Sequence, residues 1–211
     1  MISQSSIPRA MIFIDGHYFE KHIKTKYDGE INYSQLVKYL CLKSQLGRLE
    51  LIRCYFYDGQ PDLEQNLSFL DEPEQTQRKN ELQNQYQKKK DELEKIAMLD
   101  YFEVRKGKAV YNKTFNKKVK EEWTFRQKGV DSLIAIDMLT KAYQGQYNIG
   151  VLIAGDSDFI EIVKSVKDSG VRIMGAYFGE CIPKELEYEF DIKFSLDDFL
   201  ERYDIVKSKS Q

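Results

Sequence analysis

Short apolar runs alternate along this chain with longer segments whose apolar positions recur at helical spacing. Residues 10–14 (AMIFI) are apolar throughout and end at Asp15-Gly16, which predicts a short strand buried on both faces. Residues 34–46 (SQLVKYLCLKSQL) carry apolar side chains at helical intervals, with Ser34 as the expected N-cap. Residues 50–57 (ELIRCYFY) predict a second strand, and Asp58-Gly59 reads as the turn after it. The stretch 74–99 is polar and free of Gly and Pro. Its narrow apolar stripe of Leu82, Tyr86, Leu93 and Ile96 predicts a helix on the surface or projecting from it. Residues 101–128 read as a β-excursion with a loop around Asn112–Lys118. Helices over 132–143 and 159–168 then alternate with strands over 149–154 and 171–177. The tail adds a strand near 192–194 and a helix at 196–203, and frays in KSKSQ. The pattern predicts an α/β fold, three-layer α/β/α with a mainly parallel central sheet. It reads as one domain over 1–211 with a helical and β-hairpin insertion at about 61–122.

Composition narrows the function. A length of 211 residues suits one ordinary domain, and 42% hydrophobic content sustains a core. The formal charge of -2 excludes a whole-chain basic field, so a polyanion site has to be local. One region is local in that sense: residues 101–128 hold nine basic residues against three acidic ones. Tyr101, Phe102, Tyr111, Phe115, Trp123 and Phe125 are interleaved with them. Lysines track phosphates and aromatic rings stack bases, so Lys117, Lys118 and Lys120 become candidate RNA contacts. An ordinary charged hairpin is the competing reading. Cys41, Cys54 and Cys181 are scattered without metal spacing, and no run reaches transmembrane length. A cytoplasmic protein with no membrane contact is the expectation. The 74–99 helix offers a surface for a second copy or a protein partner, although a solvated face is the simpler reading.

The candidate chemistry lies in aspartates. Asp15 ends the first strand, Asp58 follows the second, and Asp156 and Asp158 follow the run 151–155 (VLIAG). Asp131 stands at a helix start, where a plain N-cap is the bland alternative. Asp137 falls on the stripe Leu133, Ile136, Asp137, Thr140, where a lone carboxylate is costly and no neighbouring Arg or Lys is expected on the same face. Binding sites form in crevices at the carboxyl ends of parallel strands, so these residues can converge. Carboxylates without His or Cys partners favour Mg²⁺ or Mn²⁺, and an ion-acidified water then attacks a phosphodiester. Only two histidines occur, His17 and His22, which leaves a two-histidine ribonuclease mechanism without support. Asp156 and Asp158 equally suit a capping pair, with Asp156 favoured as the ligand. Ser157 and Lys128 are candidate phosphate contacts, His17 lies at the rim, and His22 is expected in solvent.

Taken in order, Phe13-Ile14-Asp15-Gly16, Lys128-Gly129-Val130-Asp131 with Asp137-Met138, and Gly155-Asp156-Ser157-Asp158-Phe159 resemble the NYN family of PIN-like nucleases, in its LabA-like branch. Ser169-Gly170-Val171 and Leu186 to Asp191 also fit its pattern. The resemblance implies a parallel sheet flanked by helices and a Mg²⁺ or Mn²⁺ site that cleaves RNA. Asp15, Asp131, Asp137 and Asp156 would be its metal ligands and, with Asp158, its catalytic residues. One departure is His17, where the family usually carries Asn. The function expected is a metal-dependent endoribonuclease acting on single-stranded or loop RNA. The alternative is a non-catalytic RNA- or protein-binding regulatory module on the same fold. A haloacid-dehalogenase-like phosphatase would need an aspartate where His17 stands, and a Toprim-type nuclease a glutamate at the first strand.

Overall fold

The sheet grows outward from β1 (Arg9–Asp15), whose side chains alternate between two apolar layers. Ala10, Ile12 and Ile14 enter one layer, and Met11 and Phe13 the other. In the computed structural model the described residues are 7–27, 29–42, 46–61, 72–114, 122–179 and 182–208. From β1 the chain passes through α1 (Gly16–Lys26), β2 (Gly29–Ile31) and α2 (Tyr33–Leu42) into β3 (Glu50–Pro61). It continues through α3 (Glu72–Ala97) to the hairpin β4 (Phe102–Thr114) and β5 (Glu122–Lys128). Then follow α4 (Val130–Tyr143), β6 (Ile149–Ile153), a short 3₁₀ turn (Ser157–Phe159), α5 (Ile160–Asp168) and β7 (Arg172–Tyr177). The last elements are α6 (Lys184–Glu189), β8 (Ile192–Ser195), α7 (Leu196–Arg202) and β9 (Val206–Ser208).

Among the described residues seven strands form one sheet, in the order β5-β4-β3-β1-β6-β7-β8. All neighbours are parallel except β4 and β5. Phe19 and Ile23 of α1, Leu36 and Leu40 of α2, Leu93 and Ile96 of α3, and Leu200 of α7 fill one face. Ile134 and Met138 of α4, Val163 of α5 and Leu186 of α6 fill the other. The expected three-layer α/β/α arrangement with a mainly parallel sheet is therefore the observed one. No helix among the described residues is long and apolar enough to cross a membrane.

Several local expectations are corrected. The α2 cap is Asn32, whose Oδ1 accepts the Gln35 N–H at 3.0 Å, in place of Ser34. Asp58-Gly59 does not turn the chain; β3 runs on to Pro61, because β4 continues alongside it and pairs Asp58 with Lys106. Asp131 is not an N-cap: α4 begins at Val130, behind a left-handed Gly129 (φ 78°), a conformation that only glycine adopts freely. The tail does not fray at once, since Val206–Ser208 pairs antiparallel with β2. The predicted surface helix is docked along its second half, where Leu93 and Ile96 enter the core.

Candidate functional site

Strand order places the site. Connections from β1 toward β3 run over one face of the sheet, and those from β5 to β6 and beyond over the other. The direction of winding thus reverses between β1 and β6, and a crevice opens at their carboxyl ends. Asp15 ends β1, and Asp156 stands three residues beyond the end of β6. Gly16 is confined at this point: a Cβ there would lie 2.6 Å from the Phe56 ring and 2.8 Å from the Tyr57 carbonyl. The glycine lets α1 leave directly from the strand and keeps Asp15 at the crevice.

Asp15 is 9% exposed and its Oδ1 accepts the Tyr18 N–H at 3.0 Å, capping α1. Burial pushes its carboxyl up to about 6; the Tyr18 and His17 N–H groups pull it down, and the charges of Asp131 and Asp58 add to the rise. Asp131 sits in the first turn of α4, and its carboxyl is also raised, by partial burial and then by Asp156 and Asp158. Asp156 Oδ1 accepts the Asp158 N–H at 3.0 Å, so the favoured ligand is also the capping member of its pair. Ser157 Oγ donates to the same oxygen at 3.5 Å. Asp158, Ser157, His17 and Lys128 are exposed. Asp15, Asp131, Asp156 and Asp158 therefore form a chain of mutually felt negative charges around one crevice.

Asp137 stands apart. Lys141, one helical turn later, reaches its Oδ1 at 2.6 Å. Arg105 Nε lies 3.2 Å from Oδ2, and the Tyr57 hydroxyl donates to Oδ2 at 2.9 Å. The expectation that no basic residue shares its face is wrong: Lys141 was legible as an i,i+4 partner, whereas Arg105 arrives from β4. Arg105 and Lys141 also lie over the Tyr55 ring, at 5.5 and 4.7 Å.

Asp58 is a second correction. It is 1% exposed, accepts the Gly59 N–H at 2.7 Å and pairs with Lys89 of α3, which also holds Glu20 at 3.1 Å. Lys89 was not legible, because Lys88, Lys89 and Lys90 look alike in sequence. His22 is not in open solvent: its ring stacks on Phe178, and its Nδ1 lies 2.7 Å from the Tyr18 carbonyl oxygen. Asp191 accepts the Ile173 N–H at 2.7 Å, at the end of the sheet opposite the crevice. Lys117, Lys118 and Lys120 lie outside the described residues.

The four aspartates around the crevice offer carboxylate oxygens, a set suited to a hard cation such as Mg²⁺ or Mn²⁺. Among the described residues no group of three or more His, Cys, Asp or Glu side chains is placed to hold a metal ion. Mg²⁺ needs none, since it keeps several waters and takes one or two carboxylates directly. The charge of Asp131 bears on Asp15, and those of Asp156 and Asp158 bear on Asp131; a cation would relieve that repulsion, so these are the residues that could hold one.

The NYN domain model matches residues 9–197. No match is found among curated proteins. The crystal structure of a protein of unknown function from Vibrio parahaemolyticus is similar over 98% of this chain and 100% of that one, with a TM-score of 0.55 and 16% identity. At that identity the likeness is one of fold.

Proposed function

This chain belongs to the NYN domain family, and from that premise we propose that it is a metal-dependent ribonuclease of the LabA-like branch, cutting single-stranded or loop RNA endonucleolytically. NYN domains fall within the PIN-like nuclease superfamily. The observation that carries the reading is the run of coupled carboxylates, Asp15 to Asp131 to Asp156 and Asp158, at the crevice between β1 and β6. A bound Mg²⁺ or Mn²⁺ would acidify a water and stabilise charge on the phosphate. Asp15, Asp131 and Asp156 would hold the ion, one or two of them directly and the rest through its waters, with Asp158 beside them orienting water. Ser157, His17 and Lys128 are exposed at the rim, where they can meet phosphate. We keep Asp137 out of the ligand set, because both of its oxygens already face cations.

A second reading is a binding module without turnover. It is favoured by the capping bonds that occupy Asp15 and Asp156 and by the neutralised Asp137. Labelled RNA and DNA incubated with Mn²⁺, Mg²⁺ or a chelator separates the two. Cleavage of RNA that needs the metal and falls by about 100-fold or more in Asp15→Asn and Asp156→Asn is the expected result. Metal-independent cutting, or cutting that survives both substitutions, would sink the proposal. RNA binding with no cutting would favour the module.

A further inference from the structure

Strand register brings three lysines to one face at the outer edge of the sheet. Lys108 of β4 stands directly opposite Lys128 of β5, so both side chains leave the same face. Lys106, two residues before Lys108, shares that face. All three are exposed. Like charges set directly opposite destabilise a ladder, and a sequence tolerates them at some cost. The neighbouring cations already have anionic partners: Arg53 and Arg105 pair with Glu103, Lys89 with Asp58, and Lys141 with Asp137. No described carboxylate forms a salt bridge with Lys106, Lys108 or Lys128, and Asp58, opposite Lys106, is held by Lys89.

Their place relative to the crevice is set by the same register. Tyr57 is opposite both Asp15 and Arg105, so Lys106 and Lys108 lie beyond the level of Asp15, two strands away. Strand spacing makes that a lateral step of about 10 Å, and Lys108 lies about 10 Å further along the strand direction. Lys128 leads through Gly129 and Val130 to Asp131. These lysines share the sheet face of Asp58 and α3, and Arg105, Asp137 and α4 lie on the other, so a strand that meets both the lysines and the anionic crevice passes over the carboxyl edge of the sheet. There the carboxylates alone would repel any polyanion, and a row of cations answers that need.

We propose that Lys106, Lys108 and Lys128 form a phosphate-holding subsite for a single nucleic-acid strand lying across the acidic edge. The inference rests on the nuclease reading above and extends it to the phosphates flanking the scissile one. The subsite binds backbone, not base, so it serves RNA and DNA alike; choice between them lies elsewhere.

Binding of a short labelled single-stranded RNA, with EDTA present to stop turnover, is measured against KCl concentration for the full chain. Lys106→Gln with Lys108→Gln should weaken binding about tenfold and lower the salt slope by ~1.4, from ~0.7 for each phosphate that is no longer neutralised. The matching pair of arginine substitutions should keep the slope. Lys108→Glu supplies an independent readout: it opposes Lys128 with a negative charge, so it should raise the Tm by ~1–3 °C while weakening RNA binding. An unchanged slope in the glutamine pair, or unchanged binding in Lys108→Glu, overturns the subsite. So does a lower Tm in Lys108→Glu. Absence of metal-dependent cleavage with the slope effect intact sinks the nuclease reading and leaves the subsite standing.

Discussion

Asp15 is asked to do two things with one carboxylate. It caps α1 through Tyr18, and it faces the negative charges of Asp131 and Asp58 from a buried position. Its carboxyl, pushed up to about 6, lies above the ordinary 3.8. Between those values the folded chain keeps a proton that the unfolded chain has released, so stability falls as pH rises through this window. The stabilising protonated form is full below about pH 4 and lost above about pH 6. Asparagine keeps the capping oxygen and removes the charge. In chelator, Asp15→Asn should therefore exceed the wild type by up to about 3 kcal/mol at pH 8 and match it at pH 4, read by urea unfolding. Equal stability at pH 8 would show that the buried charge carries no penalty. His17 is exposed on the first turn of α1 beside this carboxylate.

At the scale of elements, the described side chains of α3 tie its second half to the fold. Its Leu93 and Ile96 enter the core, Tyr86 accepts from Gln60 at 3.3 Å, and Lys89 reaches the buried Asp58. Burial holds the Asp58 carboxyl above its usual range while Lys89 pulls it down. Glu20, by contrast, is held below its usual range by Lys89 and Lys24, against the opposing effect of burial. Removing Lys89 leaves Asp58 buried without its cation, a loss of about 3 kcal/mol for Lys89→Met. Hydrogen exchange should then speed up in α3 and the end of β3, and Asp58→Asn added to Lys89→Met should recover much of the loss. Additive losses in the pair would mean that the two side chains act separately. Because Asp58 neighbours Asp15, this pair also joins the position of α3 to the charge of the crevice.

For the whole molecule, the site exists because the winding of the chain reverses at β1. Four aspartates from three separate stretches feel one another there, and any ligand shared among them binds only the folded state. Mn²⁺ at about 100 times its Kd should stabilise the protein by about 2.7 kcal/mol, a rise of several degrees in Tm. The rise should be smaller at pH 5 than at pH 8, since protons compete for Asp15, and absent in Asp15→Asn with Asp131→Asn. A full shift in that double variant would move the cation away from the crevice.

Much of this was legible in one dimension. The strands expected over 10–14, 50–57, 149–154 and 171–177, the helices over 34–46, 132–143 and 159–168 and the aspartates at strand ends follow from apolar periodicity and from where polar residues interrupt it, whereas α1 was not legible in it. Those are local properties, and the chain carries them wherever it folds. What only the tertiary structure decided is which charges meet. Asp58 reads as a turn residue yet is held by Lys89, and Asp137 reads as a metal ligand yet is held by Arg105 as well as by Lys141, the partner that helical spacing already offers. Arg105 reaches Asp137 only because β4 lies beside β3, and Lys89 reaches Asp58 only because α3 folds across that strand. Charge pairing depends on distances of a few ångströms between residues far apart in sequence, and no periodicity along the chain encodes those distances.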